Sequence, residues 1–146
     1  MIMRKMIYGI ISDIHENPRI IEPAIAVLKH LGAEKLLVNG DIGGRMPGNT
    51  FEEAIQNSQN YTAFILDNIG GAGLESFVQP GSHETLLGFE PVINHFSEEY
   101  STIINTIKNQ KIEHSDHDLV FLPGSDFLCG ENIKLEIMKI FLQVSI

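Results

Sequence analysis

The chain has 146 residues, 43% hydrophobic and 20% charged, with a formal net charge of −9 from 19 acidic and 10 basic residues. That is enough for one domain with its own core, and it excludes a disordered, fibrous or disulfide-stapled class. The negative balance repels phosphate backbones, so nucleic acid is not indicated, although a bound divalent cation would reverse the local field for a smaller phosphorylated substrate.

Met6 to Ser12, MIYGIIS, is a short apolar run that predicts a buried strand. Ile21, Ala24, Ile25, Leu28 and Leu31 recur at helical steps, predicting a helix from Pro18 to Leu31 with Asn17 as its cap. Pro23 implies that this helix either starts nearer Glu22 or kinks. KLLVN, Lys35 to Asn39, reads as a second buried strand. After the glycine-rich GDIGGRMPGN comes a second helix, opened by a capping box of Thr50 and Glu53 and closed near Gly70 to Gly73. SFVQ, Ser76 to Gln79, is the third strand. Two helices are expected at Pro91 to Phe96 and Glu98 to Asn109, then a hairpin whose arms, QKIEH and DLVFLP, flank SDHD. Strands alternating with helices at this spacing predict βαβ units and a largely parallel sheet, an α/β fold.

No stretch is a spanning segment: the apolar run before Asp13 is too short, and NIKLEIMKIFLQVSI is broken by Lys134, Glu136 and Lys139, so no membrane contact is expected. The one cysteine, Cys129, allows no intrachain disulfide and fits a cytoplasmic location.

Each of the three strands runs into a polar cluster: SDIH (Ser12 to His15), NGD (Asn39 to Asp41) and PGSHE (Pro80 to Glu84). In a parallel α/β sheet all three fall at the carboxyl edge, where such folds bind ligands. Carboxylate oxygen and imidazole nitrogen suit divalent Zn, Fe, Mn or Ni. Asp13 and His15, two apart on an extended segment, would point the same way, and the two oxygens of Asp41 could bridge two ions. Gly40 and Gly81 allow sharp turns beside a metal. Taken singly, an Asp-x-His is common, a Gly-Asp is usually a turn, and Gly-Ser-His-Glu could merely start a helix.

In this order DIH, GDIGG and GSHE resemble the first three signature blocks of the calcineurin-like metallophosphoesterases, whose pattern is Asp-x-His, Gly-Asp and Gly-Asn-His-Asp/Glu. The resemblance covers roughly the first ninety residues. It implies a four-layer αββα sandwich, here partial, and a two-metal centre that activates water to hydrolyse phosphomono- or phosphodiesters. By the same resemblance Asp13 and His15 would hold the first ion and Asp41 would bridge both. Ser82 stands where the family has an asparagine ligand, His83 would contact phosphate and assist the leaving group, and Glu84 would orient His83 or a ligand from behind. Arg45, in the loop after Asp41, could touch a substrate phosphate, although its plain reading is a solvated charge.

The sequence departs from that pattern in two ways. A serine hydroxyl reaches less far than an asparagine amide. The family's later histidine and Gly-His-x-His ligands have no counterpart after His83. His30, His95, and the pair His114 and His117 read as structural or solvated, the last two in a hairpin turn. The chain is therefore expected to be one domain, 1–146, truncated at its C-terminus, with open sheet edges that invite self-association. The competing expectation is a catalytically impaired scaffold that keeps the fold. A nucleotide binder is disfavoured, because no Gly-x-Gly-x-x-Gly or P-loop follows the first strand.

Overall fold

The computed structural model describes residues 6–15, 17–44 and 46–123. Strands β1 (Tyr8–Ile11), β2 (Lys35–Asn39), β3 (Glu75–Gln79) and β4 (Ile103–Asn105) lie side by side in that order, each parallel to the next. Helices α1 (Ile21–His30), α2 (Phe51–Gly71) and α3 (Leu86–Glu99) connect them. Strands β5 (Lys111–Glu113) and β6 (Asp118–Val120) form a separate antiparallel pair, the hairpin expected around SDHD. The fold is α/β with a parallel four-stranded sheet.

Alternation along the strands sends Ile11, Leu36, Val38, Val78 and Ile103 to one face. There they join Ile25, Ile65, Leu66, Ile69, Phe89 and Ile93 of the helices in one core cluster. Burying each such side chain contributes about 1.5–3 kcal/mol. Across the other face Ile10, Leu37, Phe77 and Ile104 stand in register. Phe121 stacks on Phe77 with ring centroids 5.7 Å apart.

His114 and His117 correct the expectation of a solvated turn. The His114 ring meets Phe77 edge to face at 6.3 Å. Nε2 of His117 lies 2.5 Å from the Tyr8 hydroxyl, and its Nδ1 lies 2.7 Å from Asp116. Tyr8 and Phe77 offer ring faces and a hydroxyl on that side of the sheet, and these draw the hairpin under it.

Helix boundaries also differ. Pro18–Ile20 form a 3-10 turn, α1 begins at Ile21, and Asn17 makes no side-chain cap. Pro23 falls in the first turn of α1, where its missing N–H costs no intrahelical bond. The Thr50 hydroxyl accepts from the Glu53 N–H, as the capping box predicts. Its reciprocal arm is displaced by one residue, since Glu53 accepts from the N–H of Asn49. The first helix expected after Pro80 lies within a longer one, α3, which takes in only Glu98 and Glu99 of the second. Pro91 sits inside it, and the Leu87 carbonyl it leaves free accepts from Gln59 Nε2 at 2.8 Å. The stretch expected as a helix from Glu98 to Asn109 contains β4. Three residues are too short a run for strand alternation to register in the sequence.

Among the described residues no helix is long and apolar enough to cross a membrane. Arg45, the loop GSDF, Cys129 and the C-terminal NIKLEIMKIFLQVSI lie outside the described residues.

Candidate metal site

The parallel register places Ile11, Val38 and Val78 in one row, so the chain leaves the sheet at the same edge after β1, β2 and β3. Asp13, His15 and Asp41 have φ of 55°, 48° and 51°, and among the described residues they are the non-glycine residues with positive φ. Asp13 and His15 are thus not on an extended segment, as their two-residue spacing implied. Each lies in the left-handed region, and the two loops are tied by their backbones. The Asp13 N–H donates to the Gly40 carbonyl at 3.2 Å, and the His15 N–H to the Asp41 carbonyl at 3.1 Å. The Tyr61 hydroxyl of α2 donates to the His15 carbonyl.

Two glycines make the approach possible. Gly40 has φ 76°, and a Cβ on it would stand 2.6 Å from Gly81 Cα. A Cβ on Gly81 would stand 2.5 Å from Asp41 N and 2.6 Å from its Oδ1. Gly81 therefore serves by its missing side chain, not by an unusual turn.

Glu84 joins two of the loops, those after β2 and β3. Its side chain is 4% exposed. Oε2 accepts from the Gly81 N–H at 2.6 Å and the Asp41 N–H at 3.0 Å, and Oε1 accepts from the Gly43 N–H at 2.7 Å. A buried carboxylate is tolerable because three donors satisfy it.

Asp41 lies at the centre. Its Oδ1 accepts from the His83 N–H at 2.8 Å, and the Ser82 hydroxyl lies 3.2 Å from both carboxylate oxygens. Nδ1 of His83 is 3.2 Å from Asp41 Oδ1 and 3.1 Å from Ser82 Oγ. Burial, the largest single influence, pushes the Asp41 carboxyl up. Hydrogen bonds from the His83 backbone and ring and from Ser82, with the charge of His83, outweigh it and hold Asp41 below the usual carboxylate value.

The His15 and His83 rings meet edge to face, centroids 4.5 Å apart. One ligand atom from each of His15, Asp41 and His83 lies within 4.8 Å of the others, and among the described residues this is the His/Cys/Asp/Glu group placed to hold a metal. Metal–ligand bonds of about 2.0–2.2 Å put ligand atoms roughly 3–4 Å apart, so a small closure suits this set to one divalent ion. Asp13 stands beside the set, its Oδ1 3.6 Å from His15 Nε2 and its side chain exposed. His95 pairs with Glu99 at 3.3 Å on the surface of α3, and His30 ends α1. Tyr61 escaped sequence reading because it sits at an apolar step of α2. A phenol there can pack its ring and still offer its hydroxyl to a carbonyl.

A solved crystal structure superposes with a TM-score of 0.63 at 16% identity, over 94% of this chain and 63% of that one. The chain thus spans less than two thirds of that structure's length, and the likeness is one of fold. No family model matches the chain, and no curated protein matches it.

Proposed function

We propose that this chain is a metal-dependent phosphoesterase of the calcineurin-like type. The observation that carries the reading is the gathering of Asp13, His15, Asp41, Ser82 and His83 at one sheet edge, from three loops, in the order of the family's motifs. His15 and Asp41 would ligate, with Asp13 and Ser82 completing the cage toward the two ions the resemblance implies. Bound Mn, Fe, Zn or Ni would polarise the phosphoryl oxygen and make water a better nucleophile. His83 is more than half exposed, at the mouth of the site. From there it would contact the phosphate and donate a proton to the leaving oxygen. Glu84 ties the loops after β2 and β3 together at fixed spacing, which is how a buried group acts on a site it does not enter.

One observation favours the second reading, a scaffold that keeps the fold without the reaction. The Ser82 hydroxyl lies 3.2 Å from both oxygens of Asp41 and its one proton is directed at this carboxylate, so a ligand of the second ion is already engaged within the protein. Metal content and turnover separate the two. The chain purified with Mn²⁺ is assayed on a chromogenic phosphomonoester and a phosphodiester beside Asp41→Asn. About two ions per chain, and activity lost in the variant, supports the enzyme. Less than about half an ion and no turnover supports the scaffold.

A further inference from the structure

A cavity of about 340 Å³ lies between the amino ends of α2 and α3, lined by Phe51, Ala54 and Ile55 on one side, Thr85 and Leu87 on the other, and Met46 across the end. Ser58 completes the wall, and no charged side chain lines it. Its polar side chains are already engaged. Ser58 Oγ donates to the Ala54 carbonyl at 2.9 Å and accepts from the Met46 N–H at 3.0 Å. Thr85 Oγ1 accepts from the Gly88 N–H at 3.1 Å. Phe51 and Leu87, 68% and 56% exposed, stand in water at this one cavity. One exposed apolar side chain is ordinary, but these two line the same cavity.

The cavity adjoins the candidate metal site along the chain. Thr85 follows His83 by two residues, which puts their Cα atoms no more than about 7 Å apart. Met46 belongs to the loop that begins at Asp41.

We propose that this cavity seats the alcohol part of the phosphoester, and that this part is an uncharged apolar group, aromatic or branched alkyl. The proposal rests on the phosphoesterase reading above and names its substrate class. A phosphate at His83 and Asp41 directs its ester substituent to one side or another, and this side is apolar. A cavity of about 150 Å³ with similar walls holds benzene, so one or two rings fit here. A sugar would lose water from its hydroxyls and find Ser58 and Thr85 taken. Hydrolysis adds water across the P–O bond and releases phosphate and the apolar alcohol.

Two measurements test this. Binding of 1-naphthylmethanol to the metal-free chain is followed by the probe's fluorescence. Hydrolysis of 1-naphthylmethyl phosphate with Mn²⁺ is compared with that of ethyl phosphate, whose leaving alcohol has similar acidity. The expected result is binding that weakens on the order of tenfold in Phe51→Ala and in Ala54→Leu, which fills the cavity. The naphthylmethyl ester is expected to be preferred through a lower KM, with both variants shrinking that preference. Phe51 is exposed, so its variant keeps the fold, and circular dichroism checks the other. No binding, or binding equal in the variants, overturns the proposal. Equal hydrolysis of both esters overturns it and leaves the phosphoesterase reading standing. Binding in the cavity with hydrolysis of neither ester overturns both the reading and the substrate role.

Discussion

Replacing Glu84 tests whether one buried carboxylate sets the spacing of the loops after β2 and β3. Its oxygens accept from three backbone N–H groups, those of Gly81, Asp41 and Gly43, while the side chain is 4% exposed. A hydrogen bond to a charged group contributes about 1.5–3 kcal/mol. Glutamine keeps the shape but turns one oxygen into a donor. Placed toward Gly43 it orphans one N–H, and placed toward Gly81 and Asp41 it orphans two. Loss of the buried charge recovers part of its desolvation cost, which offsets some of the loss. The expected net for Glu84→Gln is a loss of about 2 kcal/mol, and for Glu84→Ala, with every donor orphaned, about 4 kcal/mol or more. Urea denaturation of the metal-free chain should show a lower midpoint at unchanged slope. The melting temperature should fall by roughly 4–8 °C for the glutamine variant. A Glu84→Gln chain within about 0.5 kcal/mol of the parent would refute the reasoning, because that is the range of an ordinary surface change.

Gly81→Ala puts a methyl 2.6 Å from Asp41 Oδ1 and 2.5 Å from its N, so it should lower Mn²⁺ affinity at least tenfold, roughly, in a calorimetric titration. Equal affinity would show that the two loops can part at no cost. Tyr61→Phe keeps the ring but removes the bond to the His15 carbonyl, and should cost about 1 kcal/mol in urea, with a larger loss pointing to repacking of α2. Asp41 is held below its ordinary value of 3.8, so its bonds stabilise the fold above that value, and the contribution is lost as pH falls through the lower folded-state value. The stability gap between parent and Asp41→Asn should therefore narrow as pH falls below about 4. A gap that widens on acidification contradicts the stated cause. Asp13→Gly should leave the metal-free chain as stable as the parent or up to about 1 kcal/mol more so, by urea titration, while weakening Mn²⁺ binding.

The sequence spoke clearly where one physical cause dominated. Lys35 to Asn39 forms a strand because Leu36, Leu37 and Val38 make a continuous apolar run that suits a sheet packed between helices and hairpin, and the observed bounds match the expectation. Thr50 capped its helix because the side chain and the N–H it serves are three residues apart, a local matter. Failures came where distant residues decide. Nothing local in Glu98 to Asn109 says that Ile103 will pair with Ser76, and helical spacing filled the gap. His114 and His117 looked like turn residues until Tyr8 and Phe77 stood opposite them. At the candidate site the residue types were legible but the backbone was not. Dipeptide patterns carry no sign of φ, and the bonds that hold Asp13 and His15 left-handed come from Gly40 and Asp41.

That backbone bears on why these residues are there at all. A left-handed conformation costs an L-residue roughly 1–2 kcal/mol, and glycine takes it without strain. Gly32, Gly40 and Gly73 fill other positive-φ positions of this chain at that lower cost. Asp13 and His15 make no comparable return through packing, since 67% and 42% of their side-chain surface is exposed. Asp41 differs, because Ser82 and His83 bond its carboxylate, but it too sits left-handed between glycines' reach. Strain that stability alone would remove persists where a side chain is needed for something else. These three positions carry carboxylate oxygens and an imidazole at one edge of the sheet. The strain and the donor cluster were independent observations, and they share His15 and Asp41, while Asp13 is strained beside the cluster and His83 joins it without strain.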